Sequence, residues 1–276
     1  MTMFNKAVII GTGLIGGSLG LDLKKKHLVG QITGLCRRKK NAYFSKKIGA
    51  VDHASTSLDV VMDADLVILA TPIDSIIDIG LKIAKKIRKD CIVIDVGSSK
   101  KNIVSKLSGF IPNFIGCHPL AGSEKRGVAN LQAGIFSGSV CIITPNTLTN
   151  NNALQKIKLL WKKLGSRVVI LTPEGHDQRL ALTSHLPHAV AFSLMNTIPD
   201  KFLSLGSGGL KDSTRIAASD ADLWSQIFLS NRGNLLDALL SFQAELAKFK
   251  LLLKNKNKKL LTKFLGKAKE KRKKLE

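Results

Sequence analysis

Short apolar runs alternating with helical patterns fill the first 170 residues of this chain. Runs at 7–10, 31–36, 66–70, 91–95, 114–117, 140–144 and 167–171 read as strands. Most are apolar throughout rather than alternating, which predicts a parallel sheet buried on both faces. Helical patterns occupy 14–26, 74–87, 100–108 and 152–164, so the order is that of βαβ units and an α/β fold. The pattern changes at "LTPEGHD", where Thr172 is placed to cap a helix that begins at Pro173. Beyond it almost no strand signal remains. The stretch 223–253, "LWSQIFLSNRGNLLDALLSFQAELAKFKLLL", keeps apolar residues three and four apart. The predicted organisation is a sheet domain over 1–171, an all-helical domain over 172–253 and a tail over 254–276. A helical domain with more apolar face than its own core can cover predicts a homodimer.

Charge adds little to that picture. The formal net charge is +23, but Lys254–Lys274 alone holds eleven basic residues against one acid. Lysine outnumbers arginine 34 to 9, and Tyr43 is the one tyrosine, so neither a guanidinium-rich groove nor a stacking stripe is present. A solvated surface accounts for the lysines better than a nucleic-acid site does. The tail itself reads as a disordered or frayed helical extension. Cys36, Cys91, Cys117 and Cys141 stand singly beside apolar runs, the pattern of buried thiols in a cytoplasmic protein. No apolar stretch approaches the ~20 residues of a membrane span. The opening "NKAVIIGTGLIGGSLGL" has the outline of a signal peptide, but its glycines have a better explanation.

In "VIIGTGLIGG", Gly11, Gly13 and Gly16 form Gly-x-Gly-x-x-Gly directly after a strand and at the opening of a helix. The first glycine permits a tight turn, the second lets a pyrophosphate approach, and the third lets helix and strand pack closely. This is the Rossmann-type dinucleotide-binding pattern. The candidate cofactor contacts are Gly11, Thr12, Gly13, Leu14, Ile15 and Gly16, with Thr71 and Pro72 after the 66–70 strand. An NAD enzyme commonly ends its second strand on a carboxylate that holds the ribose hydroxyl. Here the strand ends in Cys36, Arg37, Arg38, Lys39 and Lys40, and the forked side chains of Arg37 and Arg38 suit a 2′-phosphate. The predicted cofactor is NADP in preference to NAD.

Ligands of open parallel sheets gather at the carboxyl ends of the strands. "DVGSSK" (95–100) and "GCHPLAGSE" (116–124) are placed there, and bring Ser98 and His118 towards one nicotinamide. His118, expected in a small-residue loop after the 114–117 strand, can accept a proton from an alcohol as its carbon is oxidised. The helical half adds "SHLPH" (184–188), with His185 and His188 on one helix face, and Arg215, whose fork can clamp a carboxylate. A metal site built from His176, Asp177, His185 and His188 is disfavoured, because Pro187 disturbs the helix and nicotinamide redox chemistry needs no metal.

Taken together, "GTGLIGGS", "DVGSSK", "GCHPLAGSE", "SHLPH" and "GGLKDSTRIAASDADLWSQIFLSN" resemble the prephenate/arogenate dehydrogenase family over the chain up to about residue 250. The resemblance implies a Rossmann-type domain followed by a helical dimerisation domain, with the active site between them. It implies oxidative decarboxylation of a cyclohexadienyl ring to a phenol in tyrosine biosynthesis. On the matched positions, His118 accepts the ring hydroxyl proton and Ser98 positions the histidine or the hydroxyl. His185 and Arg215 bind substrate, Arg215 through a carboxylate, and Ser123 and Glu124 lie in the matched loop. The NADP-type second strand resembles the members that use arogenate rather than prephenate. Asp220-Ala221-Asp222 and Gln226 depart from the family pattern and read as changes at a helix entry. Two other readings remain open on the residues alone. One is a β-hydroxyacid-type dehydrogenase using Lys211; the other is a non-enzymatic NADP sensor or nucleic-acid binder.

Overall fold

The computed structural model describes residues 2–122 and 131–275. They form two compact units, Met1–Asn231 and Arg232–Glu276. The first unit opens with β1 (Phe4–Ile10), α1 (Leu14–Lys25), β2 (Val29–Leu35), α2 (Lys39–Lys47), β3 (His53–Ser55), β4 (Leu66–Leu69) and α3 (Ile73–Ala84). It continues through β5 (Ile92–Asp95), α4 (Lys101–Leu107), β6 (Phe114–Leu120), β7 (Val140–Thr144), α5 (Asn151–Leu164) and β8 (Arg167–Ile170). The helices α6 (Pro173–Leu180), α7 (Leu186–Thr197), α8 (Gly208–Thr214) and α9 (Ala221–Ser230) complete it.

The strands make one sheet in the order β3-β2-β1-β4-β5-β6-β7-β8. Its first six strands are parallel and follow the doubly wound dinucleotide-binding order. The expected all-parallel sheet needs one correction: β7 runs antiparallel to β6, and β8 runs parallel to β7. Successive residues of β1 feed opposite faces, Ala7 and Ile9 into one apolar cluster and Val8 and Ile10 into the other. Trp161 of α5 is fully buried on the first side, while Trp224 and Ile227 of α9 pack with α3 and α4 residues on the second. Apolar runs with no polar alternation therefore mark strands covered from both sides.

A second correction concerns His118. It lies within β6 and not in a loop after it, because β6 continues past Cys117 by pairing His118 with Ile142, Pro119 with Cys141 and Leu120 with Val140. The partnership with β5 ends at Asp95 and Gly116, so Pro119 stands beyond the last β5 pair. A residue lacking an N–H is tolerated there.

The second unit contains α10 (Arg232–Lys254) and α11 (Lys258–Lys273). The tail, expected as a disordered or frayed helical extension, is a helix over 258–273. Asn257 caps it by accepting the Leu260 N–H at 3.0 Å, and Phe264 packs on Phe249 with ring centroids 5.9 Å apart. Apolar residues among the lysines give that segment a face to pack. Among the described residues no helix is long and apolar enough to cross a membrane.

The turn from β1 into α1 sits at the point where the strand order switches from β3-β2-β1 on one side to β4-β5-β6 on the other. Gly11 has φ +94°, and a Cβ there would lie 2.6 Å from the Ala70 carbonyl oxygen. A Cβ on Gly16 would lie 2.1 Å from the Gly11 carbonyl oxygen and 2.9 Å from the Ala70 methyl. Backbone atoms cannot yield as side chains do, so Gly16→Ala must push α1 off the sheet. The substitution is expected to cost about 1–3 kcal/mol, read as a Tm lowered by several degrees. An unchanged Tm in Gly16→Ala would contradict this packing.

Candidate active site

Two groups of residues meet at the carboxyl ends of the central strands. The first is the glycine turn. Gly13 precedes α1 with no side chain capping the helix, no acid occupies its first turn, and a Cβ on Gly13 would meet no atom within 4 Å. The N–H groups of that turn are left for an anion. Thr12 is buried with its hydroxyl 2.9 Å from the Cys36 sulfur, while the Thr71 hydroxyl oxygen is buried without a hydrogen-bond partner among the described residues. Leu14 and Ile15 face Gly122, just past the end of β6. Pro72 is the residue before α3, and Arg37 and Arg38 are exposed between β2 and α2. An uncapped helix start, an open glycine and an orphaned hydroxyl fit a dinucleotide.

The second group is a buried polar chain. The His118 ring meets His176 of α6, Nδ1 to Nε2, at 2.8 Å, and His176 Nδ1 lies 2.7 Å from Asp177 Oδ1. Asp177 also accepts the backbone N–H of Lys100 at 2.7 Å on Oδ1 and of Lys101 at 2.9 Å on Oδ2. Thr172 starts α6 as expected, accepting the Gly175 N–H at 3.0 Å. The "DVGSSK" turn holds a second buried pair, the Lys100 ammonium on the Asp95 carboxylate, both fully enclosed. Asp95 further accepts the Gly97 N–H at 2.9 Å. Ser98, half-buried in the same turn, makes no side-chain hydrogen bond among the described residues.

His185 ends a π-helical turn, Ala181–His185, that joins α6 to α7. Such turns are frequent at functional sites. Here Pro187 near the start of α7 removes a donor from the ladder, which eases the wider turn. Asn231 donates to the Asp177 carbonyl at 2.7 Å and to His185 Nδ1 at 3.2 Å. His185 meets Trp224 edge-on, and His188 stacks on the same indole with centroids 3.5 Å apart, so the two histidines do share a face. Arg215 is exposed at the end of α8, and its charge disfavours protonation of His188. Asp220 caps α9 by accepting the Leu223 N–H at 2.9 Å, so that departure serves the helix entry, while Gln226 in mid-helix donates to Asp222 at 3.2 Å.

Burial sets the protonation of this cluster. His118 is held well below the ordinary imidazole value, first by loss of solvent and then by His176, Lys100 and His185. Burial also lowers His176, against the pull of Asp177, and brings His185 down to about 4. Burial alone opposes charge on Asp177, but the bonds from His176, Lys101 and Lys100 outweigh it and keep the carboxyl ionised. Burial pushes the Asp95 carboxyl up, opposed by Lys100. A buried neutral imidazole beside an ionised carboxylate suits proton abstraction.

A family profile described as prephenate dehydrogenase, nucleotide-binding domain, matches residues 19–170, and one described as its dimerisation domain matches 172–267. The chain belongs to the prephenate dehydrogenase family. It is 31% identical to prephenate dehydrogenase of Bacillus subtilis over 97% of this chain and 75% of that protein. The structure of prephenate dehydrogenase from Aquifex aeolicus, in complex with hydroxyphenyl propionate and NAD+, superposes with TM-score 0.94 at 32% identity. The match covers 99% of this chain and 98% of that one. Synechocystis arogenate dehydrogenase follows at TM-score 0.86 and 27% identity, covering 98% of this chain and 100% of that one. As a prephenate/arogenate dehydrogenase, the enzyme carries out oxidative decarboxylation in tyrosine biosynthesis. The β-hydroxyacid and non-enzymatic readings are thereby set aside.

The structure brings His118 and His185 together, and adds Lys100, Asp95 and Asn231, which sequence reasoning did not single out. His176 and Asp177 were weighed as metal ligands. Instead they bond one another and His118, and among the described residues no group of three or more His, Cys, Asp or Glu could hold a metal ion. Ser123 and Glu124 lie outside the described residues.

The cluster makes stability depend on pH. His118, His176, His185 and His188 all bind a proton less readily folded than unfolded. Their stabilisation is full above the ordinary value near 6.5 and is lost as pH falls from there towards the folded values. His185 alone, at about 4 in the fold, accounts for a loss on the order of 2 kcal/mol by pH 5. Tm is expected to be flat above pH ~6.5 and to fall steadily below it; a Tm maximum near pH 5 would contradict the neutral cluster.

Proposed function

We propose that the enzyme oxidises arogenate in preference to prephenate, takes NADP in preference to NAD, and uses His118 as the base for the ring hydroxyl. The observation that carries this reading is the buried, neutral His118 ring on β6, at the strand ends beside the open glycine turn. The turn of Gly11 to Gly16, with Thr71 and Pro72, would hold the dinucleotide. When bound, its nicotinamide takes the hydride from the ring carbon that carries the hydroxyl. His118 takes the hydroxyl proton, and Ser98, three residues past β5 and with no side-chain hydrogen bond among the described residues, helps orient the oxygen. His185 and Arg215 bind the rest of the substrate, Arg215 through a carboxylate.

The NADP preference is supported by Arg37 and Arg38, which are exposed and paired with none of the described carboxylates, and by the lack of an acid at the end of β2. The arogenate preference is supported by the same second strand, which resembles that of arogenate-using members. Prephenate with NAD is the second reading, favoured by the NAD+ in the Aquifex complex. We further propose a division of labour at residue 171, with the helical part up to 253 supporting a homodimer. Exposed apolar side chains of α10, among them Leu236, Leu240 and Leu251, would be covered by the second copy.

Measuring kcat/KM for both substrates with each cofactor tests the assignment. Arogenate with NADP is expected to rank highest, and replacing Arg37 and Arg38 together by alanine to narrow the gap between cofactors. A clear preference for NAD or for prephenate would overturn that part of the reading. His118→Ala is expected to lower kcat by about 10²–10⁴-fold with the cofactor dissociation constant unchanged. Near-normal turnover in His118→Ala would remove the base from the scheme.

A further inference from the structure

The tautomers of the buried histidines follow from their partners. An ionised carboxylate only accepts, so the 2.7 Å bond to Asp177 requires the proton of His176 on Nδ1. A neutral His176 then has a bare Nε2, and the 2.8 Å bond to it requires a proton on His118 Nδ1. What remains on His118 is a bare Nε2, the one ring atom able to take a proton. Asp177 is itself fixed by the Lys100 and Lys101 N–H groups at 2.7 and 2.9 Å, so the chain has a defined direction.

The chemistry gives that chain a task. The substrate O–H bond breaks and its proton moves to His118 Nε2 as the ring carbon is oxidised to a carbonyl. The bond from ring to carboxylate then breaks, CO2 leaves, and the electron pair enters the ring to give a phenolate. The phenolate takes the proton back, so the base borrows one proton and returns it within a turnover. During that interval a buried imidazolium faces His176, Lys100 and His185; burial and any charge on those groups oppose it, while a neutral His176 accepts its Nδ1 proton. On the Lys100 side the Asp95 carboxylate is already paired with the ammonium, whereas the His176 side leads by hydrogen bonds to the Asp177 carboxylate.

Resting on the reading of His118 as the base, we propose that His176 and Asp177 are its positioning residues, fixing its tautomer and sharing the positive charge it holds between the two proton transfers. The groups that face the pair are Lys100 and His185 around His118, and Lys100, Asp95 and Asp177 around His176. Among them Asp177 alone is bonded in line with both rings.

Two variants test this in the intact enzyme, each by kcat, KM, cofactor binding and the pH profile of kcat. In Asp177→Asn the amide oxygen at the Oδ1 position still accepts from Lys100 N–H and His176 Nδ1–H, while its NH2 is set against the Lys101 N–H. The tautomers survive, but the negative charge that balances the imidazolium formed on His118 is gone. The expected result is a kcat lower by about 10²–10⁴-fold with cofactor binding retained. In His176→Gln the side-chain oxygen still accepts from His118 Nδ1–H, so the tautomer survives but the charge is no longer shared. Its kcat should fall by about 10–100-fold, and the acid limb of the profile should move to lower pH, with KM little changed. If Asp177→Asn does not fold, the limb shift in His176→Gln decides. An unmoved limb and wild-type kcat in His176→Gln would overturn the proposal while leaving the base intact, provided His118→Ala is inactive. An active His118→Ala would overturn both.

Discussion

The carboxylate of Asp177 is the joint on which the site depends. From α6 it reaches the backbone N–H groups of Lys100 and Lys101 at the start of α4, and it holds the His176 ring. Asn231 closes on its carbonyl from beyond α9 and continues to His185. One buried anion thus ties the β5–α4 turn, the His118 strand and the helical segments after residue 172 into a single network. Removing an acceptor from such a network strands several donors at once, which is why buried polar groups of this kind are fixed in position.

The second constraint is steric. The β1–α1 turn and the β4 end approach so closely at Gly11, Gly16 and Ala70 that no side chain fits between them. That closeness lays the start of α1 across the point where the strand order switches between β1 and β4, and it brings Leu14 and Ile15 against Gly122 just past the His118 strand. The glycine turn and the proposed base, His118, therefore stand at nearby strand ends of one sheet. Lys100, fully enclosed on Asp95 at the end of β5, opposes a proton on His118.

Much of this was legible in the chain. Fully apolar runs marked the strands because both faces of the sheet are covered, and Thr172-Pro173 marked a helix start by its capping chemistry. The three-residue β3, His53–Ser55, escaped because an edge strand of polar residues has no apolar run. The reversal at β7 and β8 also escaped, since an apolar run carries no sign of its direction. His118 was placed one element too late, because the following proline reads as a strand end when its neighbour on the β5 side is unknown. His176 and Asp177 were visible as a pair, but sequence spacing does not distinguish ligands of a common ion from partners of one another. Lys100 and Asp95 were invisible as a buried pair, since charged residues beside glycine and serine read as a solvated turn.

The central claim is that His118 waits with its Nδ1 protonated and its Nε2 bare, held so by His176 and Asp177. Nitrogen NMR of the histidine side chains in the intact enzyme, labelled with 15N and recorded near pH 7.5, reads this directly. The account predicts a neutral His118 ring with the proton on Nδ1, bonded to an Nε2 of His176 that carries none. A His118 ring with its proton on Nε2, or one already charged at that pH, would contradict it.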